Sequence, residues 1–150
     1  MSLSAFLLQN AEKPEAVKYI ASKRFKENGK PIEWVIQPVD AETDTQIRKG
    51  CTKQIPVPGK RGQFTKDTDY DKYLATLAVR CITYPDLHNK ELQDSYSVMG
   101  AEALLTKLLL PGEMQDLLNK IQEVNGYDAT MDELVDEAKN SLTEATATQM

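Results

Sequence analysis

A chain of 150 residues with 41% hydrophobic and 27% charged side chains is long enough to bury one core and too ordinary in composition to be wholesale disordered. Its net charge of −5 is unevenly spread. Residues 76–150 carry 5 Lys and Arg against 13 Asp and Glu, and such an acidic half repels phosphate backbones and argues against nucleic-acid binding. Cys51 and Cys81 stand far apart with no clustered histidine, so neither a zinc site nor a disulfide framework is signalled.

In chain order, Leu3, Phe6 and Leu7 fall at helical spacing behind Ser2, and Leu8 widens the face, which predicts one short docking helix. The segment lacks a basic leader and is too short to span a bilayer, so a cytoplasmic protein is expected. Residues 10–15 read as a loop. Val17 to Phe25 and Ile32 to Val39 flank Glu27-Asn28-Gly29-Lys30, the strongest short-range hairpin signal. Ile32, Trp34 and Ile36 alternate with polar or solvent-side positions, and Trp34 reads as a core anchor rather than a ligand platform.

Asp40 caps a predicted helix from Ala41 to Lys49, with carboxylates near its positive end and Arg48 and Lys49 near its negative end. From Cys51 to Lys66 the chain is basic and broken by Pro56, Pro58, Gly59 and Gly62, consistent with a long mobile loop or a second, irregular hairpin. Gly59-Lys60 is not a phosphate loop, because Gln54 stands where the first glycine is needed and Arg61 where a Ser or Thr is needed.

Thr68 is expected to cap the next helix, whose stripe runs through Tyr70, Tyr73, Leu74, Leu77, Ala78, Cys81 and Ile82, and Tyr84-Pro85 ends it. His88 is the only histidine, with no nucleophile or carboxylate pair beside it, and is assigned no catalytic role. Asn89 caps a short helix through Val98, and Gly100 separates it from a helix over Ala101 to Leu109. Pro111 opens a helix carrying Met114, Leu117, Leu118, Ile121 and Val124 on one face, stopped by Gly126. Thr130 to Glu133 is a capping box for a last helix through Ala138, and residues 143–150 form a frayed tail.

The fold class predicted is α+β, with one or two N-terminal hairpins packed on a mainly helical C-terminal bundle, as a single domain over residues 1–142. No catalytic, cofactor-binding or metal-ligating constellation emerges.

Asn89 to Tyr127, NKELQDSYSVMGAEALLTKLLLPGEMQDLLNKIQEVNGY, resembles the XkdN-like tail assembly chaperones of contractile-tailed phages and PBSX-type defective prophages. Its LQDSYSVMGAE block, LLLPGE corner and NGY helix end carry the likeness. The upstream IRKGCTKQIPVPGKRGQFT, DKYLATLAVRCITYPDL and FLLQN blocks extend it over nearly the whole chain. One departure is Ser97, where the family version has Gly, which puts the turn before Met99 in question.

The resemblance implies a non-enzymatic protein of the bacterial host cytoplasm, absent from the mature virion. It implies binding of the tape-measure protein, with the major tail-tube protein as a further partner, no nucleic acid and no membrane; self-association is left open. Such a role calls for an apolar groove in an acidic body, and Tyr96, Met99, Leu105, Leu108, Leu109, Leu110 and Met114 are its expected contributors. Several phage groups make a frameshifted longer chaperone, and Ala138-Lys139-Asn140 can be encoded by a slippery heptamer. The rival readings are an enzyme, for which convergent groups are missing, and a small helical adaptor or regulatory protein-binding domain unrelated to tails.

Overall fold

The computed structural model describes residues 2–127. The expected final helix, the frayed tail and the Ala138-Lys139-Asn140 site lie outside the described residues. Ser4–Phe6 forms a single 3-10 turn in place of the expected docking helix. Leu3, Phe6 and Leu8 are all well exposed, and none joins the core. Too short to nucleate a helix on its own, this segment has no packed face to compensate.

The Asn-Gly hairpin forms, but in two separate ladders. Strands β1 (Val17–Tyr19), β2 (Lys26–Glu27), β3 (Lys30–Pro31) and β4 (Trp34–Ile36) follow one another, β2 pairing β3 around the tip and β1 pairing β4 at the base. At the tip Asn28 and Gly29 both take positive φ, the geometry that a two-residue turn between right-twisted strands requires. The stretch between β1 and β2 bows out of register. Trp34 and Ile36 point into the core, as their alternation predicts.

Helix α1 (Ala41–Gly50) is capped by Asp40, whose carboxylate accepts from the Thr43 amide at 2.7 Å. Residues 51–66, left open between loop and hairpin, lie within a second ribbon: β5 (Thr52–Pro56) pairs β6 (Phe64–Thr68) in continuous antiparallel register. Thr68 belongs to this ribbon, so the cap of α2 (Tyr70–Cys81) is Asp69, which accepts from the Lys72 amide. Tyr73, Leu77, Ala78 and Cys81 are buried as expected, whereas Tyr70 in the first turn is exposed.

Ile82, expected as the last position of the helical stripe, instead opens β7 (Ile82–Tyr84), which pairs β4 on the side away from β1. A residue before proline avoids α geometry, and the three residues ahead of Pro85 are β-prone. The helix therefore ends earlier than its apolar period. Sheet order is β1-β4-β7, and this sheet closes one side of the core.

The remaining helices are α3 (Lys90–Ser95), α4 (Ala101–Leu108) and α5 (Pro111–Val124). The short helix ends at Ser95 rather than Val98, because Ser97 takes φ 55° and turns the chain. The turn is thus kept with serine in a conformation that favours glycine. At the α4–α5 corner Pro111 occupies the first helical position, and the Leu110 amide donates to Glu113 Oε1 at 2.8 Å. Gly126 (φ 93°) ends α5 in a Schellman motif, with the Gly126 amide bonded to the Glu123 carbonyl and the Tyr127 amide to the Gln122 carbonyl.

Helix α2 is the hub, packed against α1, α4 and α5. Leu77, Leu104, Leu105, Leu117 and Ile121 meet Trp34 and Ile36 of the sheet in one core cluster. Asn125 stitches its far side. Its Oδ1 accepts from the Val39 amide at 3.0 Å, and its Nδ2 donates to the Ile121 carbonyl and to Cys81 Sγ.

Candidate functional site

An apolar cleft opens where the first ribbon, β7 and α3 converge. Ile32, whose amide bonds the Phe25 carbonyl at 2.8 Å, lines it with Phe25 on one side. Trp34 forms the floor, Tyr84 and the cis Pro85 a second wall, and Leu92, Tyr96 and Leu108 the third. Its volume is about 150 Å³. A cavity of that size with an apolar lining takes a benzene-sized group. Apart from the tyrosine hydroxyls nothing in the wall ionises.

Local structure explains the shape. Leu92 and Tyr96 are four residues apart and so share one side of α3 and its cap. Asn89 starts that helix by accepting from the Leu92 amide at 2.9 Å. Gln93 then fixes it from both ends: its Nε2 donates to the Leu87 carbonyl at 2.9 Å, and its Oε1 accepts from the Gly100 amide at 3.1 Å. The left-handed turn at Ser97 and the Val98 amide bonded to the Gln93 carbonyl complete the corner.

The structure divides the residues expected to form a groove. Tyr96 and Leu108 line the cleft. Leu105 (0% exposed), Leu108 (4%) and Leu109 (7%) belong to the core cluster, and Met114 packs half-buried against it. Met99, 94% exposed, sits on the connection between α3 and α4, and Leu110, 55% exposed, caps α5. Sequence reasoning missed Phe25, Ile32, Tyr84, Pro85 and Leu92 as site residues and gave Trp34 to the core alone. The alternation of Ile32 with Trp34 carried a signal for part of this wall; the Tyr84-Pro85 wall depends on β7, which helical periodicity hid.

A second, larger depression of about 460 Å³ includes Ile47, Thr76, Arg80, Asp86, His88 and Glu102. Its mixed charges set no nucleophile beside a base, and the His88 amide donates to Asp86 Oδ1 at 3.0 Å in an ordinary turn. Among the described residues no three His, Cys, Asp or Glu side chains gather as a metal site. Cys51 and Cys81 are free and buried, and burial pushes the Cys81 thiol up, away from the thiolate that nucleophilic chemistry needs.

The most connected polar cluster ties elements together. The Tyr73 hydroxyl donates to Asp44, and Arg48 bonds Asp44 Oδ2 at 3.1 Å while its guanidinium carbon lies 4.6 Å from the Tyr73 ring centre. Burial first, and the Asp44 carboxylate second, raise the Tyr73 hydroxyl well above its usual range. Arg48 Nη2 also reaches the Tyr127 hydroxyl at 3.2 Å, joining α1, α2 and the end of α5.

The sequence model described as phage XkdN-like tail assembly chaperone protein matches residues 3–139. The phage-like element PBSX protein XkdN of Bacillus subtilis (strain 168) is 31% identical over 140 residues, covering 92% of this chain and 93% of that protein. YqbN of the same strain is 30% identical over the same length. The crystal structure of the protein YqbN superposes with a TM-score of 0.73 at 25% identity, covering 85% of this chain and 98% of that one.

Proposed function

The chain belongs to the XkdN-like phage tail assembly chaperones, and on that footing we propose that it binds the tape-measure protein and keeps its long apolar helices in solution while the tail tube assembles. The role is non-enzymatic, exercised in the host cytoplasm, and ends before the virion is complete. Recruitment of the major tail-tube protein belongs to the same reading.

The observation that carries this proposal is the aromatic-walled cleft, an open apolar site with no reactive group at its centre. A helix laid across it would place one large side chain between Trp34, Tyr84 and Tyr96, and helix-in-groove recognition uses such single anchors at helical spacing. Exposed Met99 and Leu110 and half-buried Met114 are further apolar side chains on the helical part of the chain. Leu108 forms part of the cleft wall, and Leu105 and Leu109 serve by packing α4 into the core.

Co-expression with the tape-measure protein tests the proposal. The expected result is that the long protein becomes soluble and co-purifies with the chain, and that Tyr84→Ser with Tyr96→Ser weakens recovery while the chain stays folded. Equal solubility of the tape-measure protein with and without the chain would overturn it.

A further inference from the structure

Pairing in the β5–β6 ribbon stops at two strands. A ribbon of that kind with nothing packed on it is marginally stable at best, and a third strand supplies what it lacks. Between Lys53 and Asp67 no side chain of this one is buried. The two ends of the ladder fix which backbone groups are free. The Asp69 amide donates to the Cys51 carbonyl at 2.8 Å, and the Val57 amide to the Gln63 carbonyl at 3.0 Å. Bonded and non-bonded pairs alternate in an antiparallel ladder, so between those ends Lys53 bonds Asp67 and Ile55 bonds Thr65. Phe64, Lys66 and Thr68 then turn their amides and carbonyls outward, along the far edge of β6.

The edge along β5 is protected. Pro56 has no amide to offer and Pro58 follows it, a common device against strand addition. Strand β6 has no proline, so all three of its outward positions can pair. Side chains define the chemistry of the partner. Phe64, 59% exposed, and Lys66 project from one face, two residues apart. Lys60 and Arg61 stand in the turn that joins the strands, and among the described residues neither they nor Lys66 form an ion pair. Lys53 lies opposite Asp67 on the other face, so those two charges offset each other. The open edge is therefore cationic and partly apolar, in a protein whose net charge is −5.

We propose that the β6 edge takes an extended acidic segment of another protein as a third strand. The backbone of that segment pairs with Phe64, Lys66 and Thr68, the mode of recognition in which main-chain bonds give affinity and alternate side chains give specificity. An apolar side chain lies beside Phe64, a carboxylate two residues along lies beside Lys66, and further carboxylates reach Lys60 and Arg61. This surface shares no residue with the aromatic-walled cleft, and it selects a strand where the cleft selects a helix.

The probe is a short acetylated peptide with valine and glutamate at alternate odd positions and threonine between them, titrated into the isotope-enriched full chain. With peptide at about ten times its Kd, exchange of the Phe64, Lys66 and Thr68 amides should slow about tenfold, while Thr65 and Asp67, already bonded to β5, change little. A Lys60→Glu, Arg61→Glu, Lys66→Glu variant should bind about tenfold more weakly, each exposed pair being modest. Its Trp34 indole signal and its slow Thr65 and Asp67 amides report that fold and ribbon are intact. Absence of peptide-dependent protection at the three outward amides would overturn the proposal, as would equal affinity in the triple variant. Stronger protection by oligothymidine than by the peptide would assign the edge to nucleic acid, and protection that rises with chain concentration alone would assign it to a second copy; either result overturns the acidic strand.

Discussion

The β1–β4 ribbon and the β5–β6 ribbon share antiparallel pairing and glycine-bearing turns, yet one is built into the core and the other stands off it. The first has Trp34 and Ile36 on one face and gains a third strand, β7, along its edge. The second has the longer continuous ladder, but Lys, Gln, Thr and Asp occupy most of its positions and both faces meet water. Backbone pairing is therefore a poor guide to which ribbon the fold depends on. Burial of alternate side chains decides it, since a net hydrogen bond contributes about 1 kcal/mol whereas a buried large apolar side chain contributes about 1.5 to 3 kcal/mol.

The largest expected effect tests this contrast directly. Trp34→Ala should lower unfolding stability by about 3 to 5 kcal/mol in urea titrations, and Phe64→Ala by no more than about 0.5 kcal/mol. Equal losses would show the second ribbon to be as integral as the first. Next comes the mount of the second ribbon. Tyr73→Phe removes a charge-assisted bond to Asp44 and should cost about 1.5 to 3 kcal/mol. Because Asp44 and Arg48 sit on the helix that leads into β5, amide exchange in β5–β6 should quicken more than in β4; a uniform change would erase the distinction.

A smaller effect, of opposite sign, is expected at the turn shaping the cleft. Ser97→Gly relieves a left-handed serine and should stabilise by about 1 kcal/mol, read from the same titrations. No gain would mean that the Ser97 side chain compensates its backbone. The smallest effect concerns the tie between the first ribbon and α5. The Leu110 amide, then the Ser22 hydroxyl and Arg24, hold the Glu113 carboxyl below its ordinary value. A depressed carboxylate adds stability above its unfolded pKa of about 4.3, lost as pH falls through the lower folded value. Wild type should thus exceed Glu113→Gln modestly at pH 7, and the two should converge in acid denaturation below pH 4.

How far the sequence carried these conclusions differs between the same two regions. Period-two alternation at Ile32, Trp34 and Ile36 and the Asn28-Gly29 turn were enough to place the first ribbon and its core face. The β5–β6 ribbon has no apolar period, so its polar, proline-broken sequence could be read equally as loop or hairpin. Strand β7 was hidden because Cys81 and Ile82 continue the helical spacing of α2; the proline two residues beyond Thr83 decides against it only when pairing to β4 is known. The cleft was legible in part, through Tyr96 and Leu108, while Phe25 and Tyr84 reach it through tertiary pairing that no local spacing encodes. Leucine density in α4 marked the core more faithfully than it marked the cleft.

Asn125 gives the chain a direction in time. Its side chain accepts the Val39 amide, a contact that spans 86 residues, and at the same moment holds the end of α5 to Cys81. During synthesis the first ribbon emerges early, but the segment leading from β4 into α1 waits for the last turn of α5, and β4 itself lacks β7 until α2 has been made. Contacts of such separation slow folding because loop closure precedes any reward. The apolar side of Trp34 and Ile36 therefore waits for Leu104, Leu105, Leu117 and Ile121 to be made, and a nascent chain interrupted before α4 should resist proteolysis no better than an unfolded one.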